Sequence, residues 1–140
     1  MAAVLEAFVV VAMHLIAHRG WSAGRGENSL AAFARAARDD AVSGVEFDVC
    51  RAAGSGTMVV SHDPPLHTED LLTLDTALSS LSRTDLELFV EIKEEGLALE
   101  VIEKLVSKYA SALDYIALRA RIVMCIPSSL SNGGSSQSIG

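Results

Sequence analysis

Charged and imidazole side chains stand at the ends of several short apolar runs: His18, Arg19, Glu46, Asp48, His62, Glu91 and Lys93. In "VEFDV", Glu46 and Asp48 alternate, and alternate residues of a strand face one side. Two carboxylates buried on one side repel each other and require a cation. Mg²⁺ or Ca²⁺ suits such a set, because both prefer oxygen ligands. The competing reading is an exposed strand whose acids face water. "FVEIK" repeats the arrangement, with Glu91 and Lys93 on one side and Val90 and Ile92 on the other. Glu91 can be a third carboxylate ligand and Lys93 can hold a phosphate oxygen; alternatively they form an ordinary surface ion pair on an edge strand.

His18 and His62 both follow apolar runs, and each stands beside a charged residue. Two imidazoles near a metal can serve as base and acid in hydrolysis, although a lone histidine is more often structural. Arg19 can grip a phosphate through paired hydrogen bonds. His14 and His67 have no such company and read as bystanders. Glu27 and Asn28 open a helical segment, where an acid suits the helix dipole. Capping is favoured there over a direct role in the site.

Alternating elements must position these groups. "MHLIA", "VEFDV", "TMVVS" and "LELFVEI" read as strands, and "DYIALRARIVMCI" is apolar enough for another. "ENSLAAFARAARDDA" reads as a helix with the stripe Leu30, Phe33, Ala34, Ala37 and Ala41. Thr73 is placed to cap a helix whose apolar face is Leu74, Ala77, Leu78 and Leu81. "LALEVIEKLVSKYA" is a third helix, with the stripe Ala98, Val101, Ile102, Leu105 and Tyr109 and a Glu100–Lys104 pair outside it. This order favours parallel strands with helices packed outside them. Functional groups then gather at the carboxyl ends of the strands.

The 140 residues suit one domain with a real core. Half of them are hydrophobic and a fifth are charged, as in soluble globular proteins. A net charge of −7 argues against a nucleic-acid partner. An anionic small substrate stays open to it, because a metal ion and an arginine reverse the local field. Cys50 and Cys125 make neither a metal spacing nor a disulfide framework, so a reduced cytoplasmic protein is expected. Residues 2–17 are apolar apart from Glu6 and His14, too interrupted for a membrane span and without the basic start of a secretory signal. A weak membrane anchor there is the lesser reading.

Taken in order, "HRG", "GENSLAAFARA", "GVEFDV", "VVSHDPPL" and "FVEIK" resemble the glycerophosphodiester phosphodiesterase family. The resemblance runs from about Leu15 to Lys93. It implies a (β/α)₈ TIM barrel that uses a divalent metal to cleave glycerophosphodiesters to glycerol 3-phosphate and an alcohol. By position, it assigns the catalytic histidines to His18 and His62, phosphate binding to Arg19 and Lys93, and the metal to Glu46, Asp48 and Glu91. It leaves open which histidine is the acid and which the base.

The chain departs from the family in three ways. Gly26 stands where the family has proline before Glu-Asn. The stretch from His62 to Leu74 is short where members carry an insertion that shapes the glycerol pocket. A full barrel takes about 250 residues. The expectation is therefore a partial TIM barrel, roughly its first half. Residues 1–12 form an N-terminal apolar extension, 13–118 the partial domain and 119–140 a divergent, disordered tail. An unclosed barrel exposes strand edges, so an oligomer that covers them is a further expectation. The alternatives are a truncated, non-catalytic member of the family and a phospholipase-D-type enzyme acting on lysophospholipids.

Overall fold

The computed structural model describes residues 13–22, 26–66, 70–110 and 120–124. The apolar extension 1–12, His67, Cys125 and the predicted tail after residue 124 lie outside the described residues. The elements are β1 (Leu15–Ala17), α1 (Leu30–Ala36), β2 (Val42–Arg51), β3 (Met58–Val60), α2 (Leu74–Leu81), β4 (Glu87–Ile92), α3 (Ala98–Ala110) and β5 (Ala120–Met124). They build an open α/β sheet in the order β1-β2-β4-β5, with every neighbouring pair parallel. β5 falls within the apolar run "DYIALRARIVMCI" and also within the segment predicted as a tail.

β3 is the exception to the parallel pattern. It pairs antiparallel with the far end of β2, Cys50 opposite Val59. The connection from Ala52 to Thr57 is closed by an Ala52 N–H···O Thr57 bond of 2.9 Å. So short a link permits a hairpin, whereas a parallel crossover takes a dozen residues or more.

One face of the sheet is apolar and carries the helices. Val45, Phe47 and Val49 of β2 and Leu88, Val90 and Ile92 of β4 share one buried cluster with Phe33, Leu74, Leu78, Leu81, Val101 and Leu105. The Phe33 and Phe47 rings meet at 5.6 Å in a tilted arrangement, a geometry that aromatic quadrupoles favour. Each of these large side chains contributes roughly 1.5–3 kcal/mol by leaving water. α2 has the cap and apolar face expected of it: Thr73 accepts from the Thr76 amide, and Leu74, Ala77, Leu78 and Leu81 are buried.

The other two helices differ from expectation. α1 buries Ala32, Phe33 and Ala36, while Leu30 is 39% exposed. It stops at Ala36 because Asp39 turns the chain, its side chain accepting the Ala41 N–H at 3.0 Å and its carbonyl the Val42 N–H at 2.9 Å. A short acid that bonds local backbone competes with helix in this way. The loop after β1 packs directly onto α1. Gly20 has φ +79°, and a Cβ there would lie 2.7 Å from the Ala32 Cβ. In α3, Val101 and Leu105 face the core but Ile102 is 40% exposed. The expected Glu100–Lys104 pair does not form. Glu100 pairs with Arg51, and Lys104 reaches Asp75 at 2.7 Å. Among the described residues, no helix is long and apolar enough to cross a membrane.

Candidate metal centre

The opposite face of the sheet holds the acids. The β2–β4 register sets Asp48 beside Glu91 and Glu46 beside Phe89. Glu46, Asp48 and Glu91 can each turn one oxygen to a common point, all within 4.8 Å of one another. Asp48 is wholly buried, and the Glu46 and Glu91 side chains are only 17% and 19% exposed. The reading of Glu46 and Asp48 as water-facing strand acids therefore fails. Gly44 continues this face, and a Cβ there would meet the Glu87 carbonyl oxygen at 2.7 Å. β2 and β4 thus approach closely below the acids.

Three carboxylates so close repel one another unless cations answer them. Burial pushes the Glu46 carboxyl above its ordinary range, against the opposing effect of the Arg19 amide. Arg19 Nε lies 2.9 Å from Asp48 Oδ2, and Lys93 Nζ lies 3.0 Å from Asp48 Oδ1 and 2.7 Å from Glu91 Oε1. Lys93 is paired inside the acid cluster and is not part of an exposed surface pair. Burial alone would weaken both bases, but the surrounding acids outweigh it and hold Arg19 and Lys93 more basic than usual.

These cations do not satisfy the acids completely. Arg19 Nε and Lys93 Nζ approach Asp48 closely without aligned hydrogen bonds. Glu46 Oε1, Asp48 Oδ1 and Arg19 Nε are each buried with no hydrogen-bond partner. Buried polar groups are rarely left so. Two carboxylate oxygens with unfilled lone pairs fit an oxygen-seeking divalent ion such as Mg²⁺ or Ca²⁺.

The loops hold this geometry under strain. Arg19 and Asn28 have φ +52° and +50°, and they are the non-glycine residues with positive φ among those described. Such backbone costs on the order of 1–3 kcal/mol per residue. The two residues are tied together, the Asn28 N–H donating to the Arg19 carbonyl at 2.8 Å. The Arg19 N–H donates to Glu46 Oε2 at 3.0 Å, and Arg19 Nη1 donates to Glu27 Oε1 at 2.9 Å. Asn28 Nδ2 donates to Asp48 Oδ2 at 2.9 Å, and Asn28 Oδ1 accepts the Asp48 N–H at 3.3 Å. Glu27 and Asn28 are thus not the helix cap. Ser29 is, its hydroxyl accepting from the Ala32 N–H at 3.2 Å. Asparagine tolerates a left-handed backbone, which suits Asn28 to this place; capping, the role favoured from the sequence, falls to Ser29, and Asn28 meets Asp48 instead.

The two histidines reach the region by different routes. His18 follows β1, and its Nε2 lies 3.8 Å from Glu46 Oε2. It shares a cavity of about 320 Å³ with Ile16, Glu46, Phe89 and Glu91. His62 is delivered by the β2–β3 hairpin, whose return is fixed by a 3.2 Å bond from the Ser61 N–H to the Asp48 carbonyl. Its Nδ1 pairs with Asp63 at 3.1 Å, and it lines a neighbouring cavity of about 360 Å³ with Glu27, Asn28 and Ser61. The structure therefore gathers Glu46, Asp48, Glu91, Arg19 and Lys93, with His18 at their edge. His62 is not among them and lines a separate cavity that Asn28 also borders.

Comparison with known proteins bears on this arrangement. No curated protein matches the chain. A crystal structure from Agrobacterium tumefaciens, of a protein provisionally described as a glycerophosphoryl diester phosphodiesterase, is similar in fold with a TM-score of 0.60 and 19% identity. The similarity covers 83% of this chain but 57% of that one, so the chain spans little more than half the neighbour's length. Residues 18–121 match the glycerophosphoryl diester phosphodiesterase family, a stretch that begins at His18 and takes in every acid and cation of the cluster. With most of its length matched, and the matched part holding the buried acids and their partners, the chain belongs to the glycerophosphoryl diester phosphodiesterase family.

Proposed function

We propose that this chain carries the site for metal-dependent hydrolysis of glycerophosphodiesters to glycerol 3-phosphate and an alcohol. One observation carries the reading. Glu46 and Asp48 keep buried, unbonded carboxylate oxygens inside an acid triad that Arg19 and Lys93 only partly neutralise. Glu46, Asp48 and Glu91 would hold Mg²⁺ or Ca²⁺, which when bound supplies Lewis-acid stabilisation of charge at phosphorus.

The chain's own groups do the rest. Arg19 and Lys93 lie beside the acids and would hold phosphoryl oxygens, Arg19 by a planar fork and Lys93 as a point charge. Of His18 and His62, one takes the proton of the attacking water or hydroxyl and the other gives a proton to the departing oxygen. His18 lines the cavity that also holds Glu46 and Glu91, and His62 lines a separate one with Glu27 and Asn28, which supports giving them separate roles. The four parallel strands β1, β2, β4 and β5, with helices on one face, are read as the first strands of a (β/α)₈ barrel. Family membership and the likeness to the longer Agrobacterium structure support this.

The test is release of glycerol 3-phosphate from glycerophosphocholine by the purified chain with Mg²⁺ or Ca²⁺, beside a His18→Ala control. Lysophosphatidylcholine in parallel separates a phospholipase-D-type preference. Metal-dependent turnover that the control lacks supports the reading. A folded sample that binds metal but turns over neither substrate overturns it.

A further inference from the structure

We infer that Asn28 is the positioning residue for Asp48, setting which carboxylate oxygen is presented to the cation. The inference rests on the metal reading above. Asn28 makes two bonds to one residue: Nδ2 to Asp48 Oδ2 at 2.9 Å, and Oδ1 from the Asp48 N–H at 3.3 Å. Only one orientation of the amide permits both bonds, because the flipped form would set Asn28 Oδ1 against the Asp48 carboxylate. The pair therefore locks the carboxylate plane to the backbone of β2. Asp48 Oδ2 is held by Asn28 and faced by Arg19 Nε at 2.9 Å, whereas Oδ1 is buried without an aligned hydrogen bond and is faced by the Lys93 ammonium at 3.0 Å.

The loop geometry shows how Asn28 is itself held. Its φ of +50° is a conformation that most side chains resist. Its N–H is fixed to the Arg19 carbonyl at 2.8 Å, so the two residues that meet Asp48 Oδ2 are bonded to each other. Helix capping does not account for Asn28, because Ser29 fills that place. A polar partner that orients a metal ligand typically changes metal affinity about 10- to 100-fold when lost.

The experiment is calorimetric titration of the full chain with Ca²⁺ alone, alongside thermal melting in EDTA. Asn28→Gly keeps the left-handed backbone without strain and removes both side-chain bonds. Asn28→Asp keeps an acceptor for the Asp48 N–H but cannot donate to Oδ2. Ser29→Ala removes the cap one residue away. The expected result is Ca²⁺ affinity about 10- to 100-fold weaker in Asn28→Gly and in Asn28→Asp. Ser29→Ala should melt lower yet bind Ca²⁺ as the unmodified chain does. A folded Asn28→Gly with unchanged affinity overturns the inference. Should that variant fail to fold, unchanged affinity in Asn28→Asp overturns it equally. If the unmodified chain binds no Ca²⁺, the metal reading fails and this inference falls with it. Binding that is indifferent to Asn28 overturns the positioning role alone.

Discussion

Phe47 and Asp48 are neighbours in β2, both are fully buried, and they face opposite sides of one sheet. Phe47 needs only apolar company, which Phe33 and the helix faces supply. Asp48 draws Arg19, Lys93 and Asn28 around it and still keeps an oxygen without a hydrogen bond. The positive-φ residues Arg19 and Asn28 also stand on Asp48's side. One face of the sheet is thus satisfied and stabilising. The other is strained, charged and incomplete. Residues that serve a site rather than stability show that division, because local rules are broken where function requires it.

The contrast predicts that the two faces respond to different perturbations. Phe47→Ala should have the largest effect on stability, a loss of about 3–5 kcal/mol, because it opens a cavity in the helix-covered core. Urea unfolding measures it. Ca²⁺ affinity of the fraction still folded should stay near that of the unmodified chain. A parallel loss of affinity would show that the core and the acid cluster are one cooperative unit.

Glu46→Gln probes the other face. The glutamine can still accept the Arg19 N–H that Glu46 Oε2 now accepts, and it removes one of three repelling charges. The variant should melt in EDTA no lower than the unmodified chain. Its gain on adding Ca²⁺ should vanish, where binding at a hundredfold excess over Kd contributes about 2.7 kcal/mol. Thermal melts with and without Ca²⁺ decide it. A lower melting point in EDTA would place Glu46 among the stabilising groups and break the contrast.

Much of this division was legible in the sequence, and the limits of that legibility are physical. The period-two alternation of "VEFDV" and "FVEIK" put Glu46, Asp48 and Glu91 on shared faces, and the register of β2 against β4 joins them. The cap and apolar face of α2 followed from local chemistry. The bonds of Asn28 to Asp48 span twenty residues, and no local pattern encodes a partner that distant. The early end of α1 depended on Asp39 choosing the Ala41 amide over the helix. The exposure of Ile102 depended on how α3 lies on the sheet, which a stripe of apolar residues fixes only to within one helical face. Glu100 and Lys104 were spaced to pair, but Arg51 and Asp75 offered partners from other elements.

A smaller effect is expected from Thr73→Ala, which removes the hydroxyl that accepts the Thr76 amide at the start of α2. Loss of such a cap costs about 1 kcal/mol. The measurement is again urea unfolding, with Ca²⁺ titration beside it. Thr73 belongs to the satisfied side, so its loss should leave the affinity unmoved.

Cys50 sharpens the comparison at its boundary, with an effect that is absent at neutral pH. It stands two residues beyond Asp48, where the β3 hairpin covers the strand and buries it with Ala52 and Val59. Burial pushes its thiol from 9.0 up to about 11, with smaller contributions from the negative charges of Glu94, Asp48 and Asp63. The folded state therefore favours the neutral thiol. Its contribution is full below the unfolded value and is lost as pH rises from about 9 to about 11, where the unfolded chain ionises first. In a Cys125→Ser background, urea midpoints taken from pH 8 to pH 11 should fall more steeply with Cys50 present than in Cys50→Ala. Iodoacetamide at pH 8 should leave Cys50 unmodified in the folded chain, since the thiolate is the reactive form. Rapid labelling at pH 8 would mean that the hairpin opens readily. His62, which that hairpin carries, would then be held no more firmly than the loop itself.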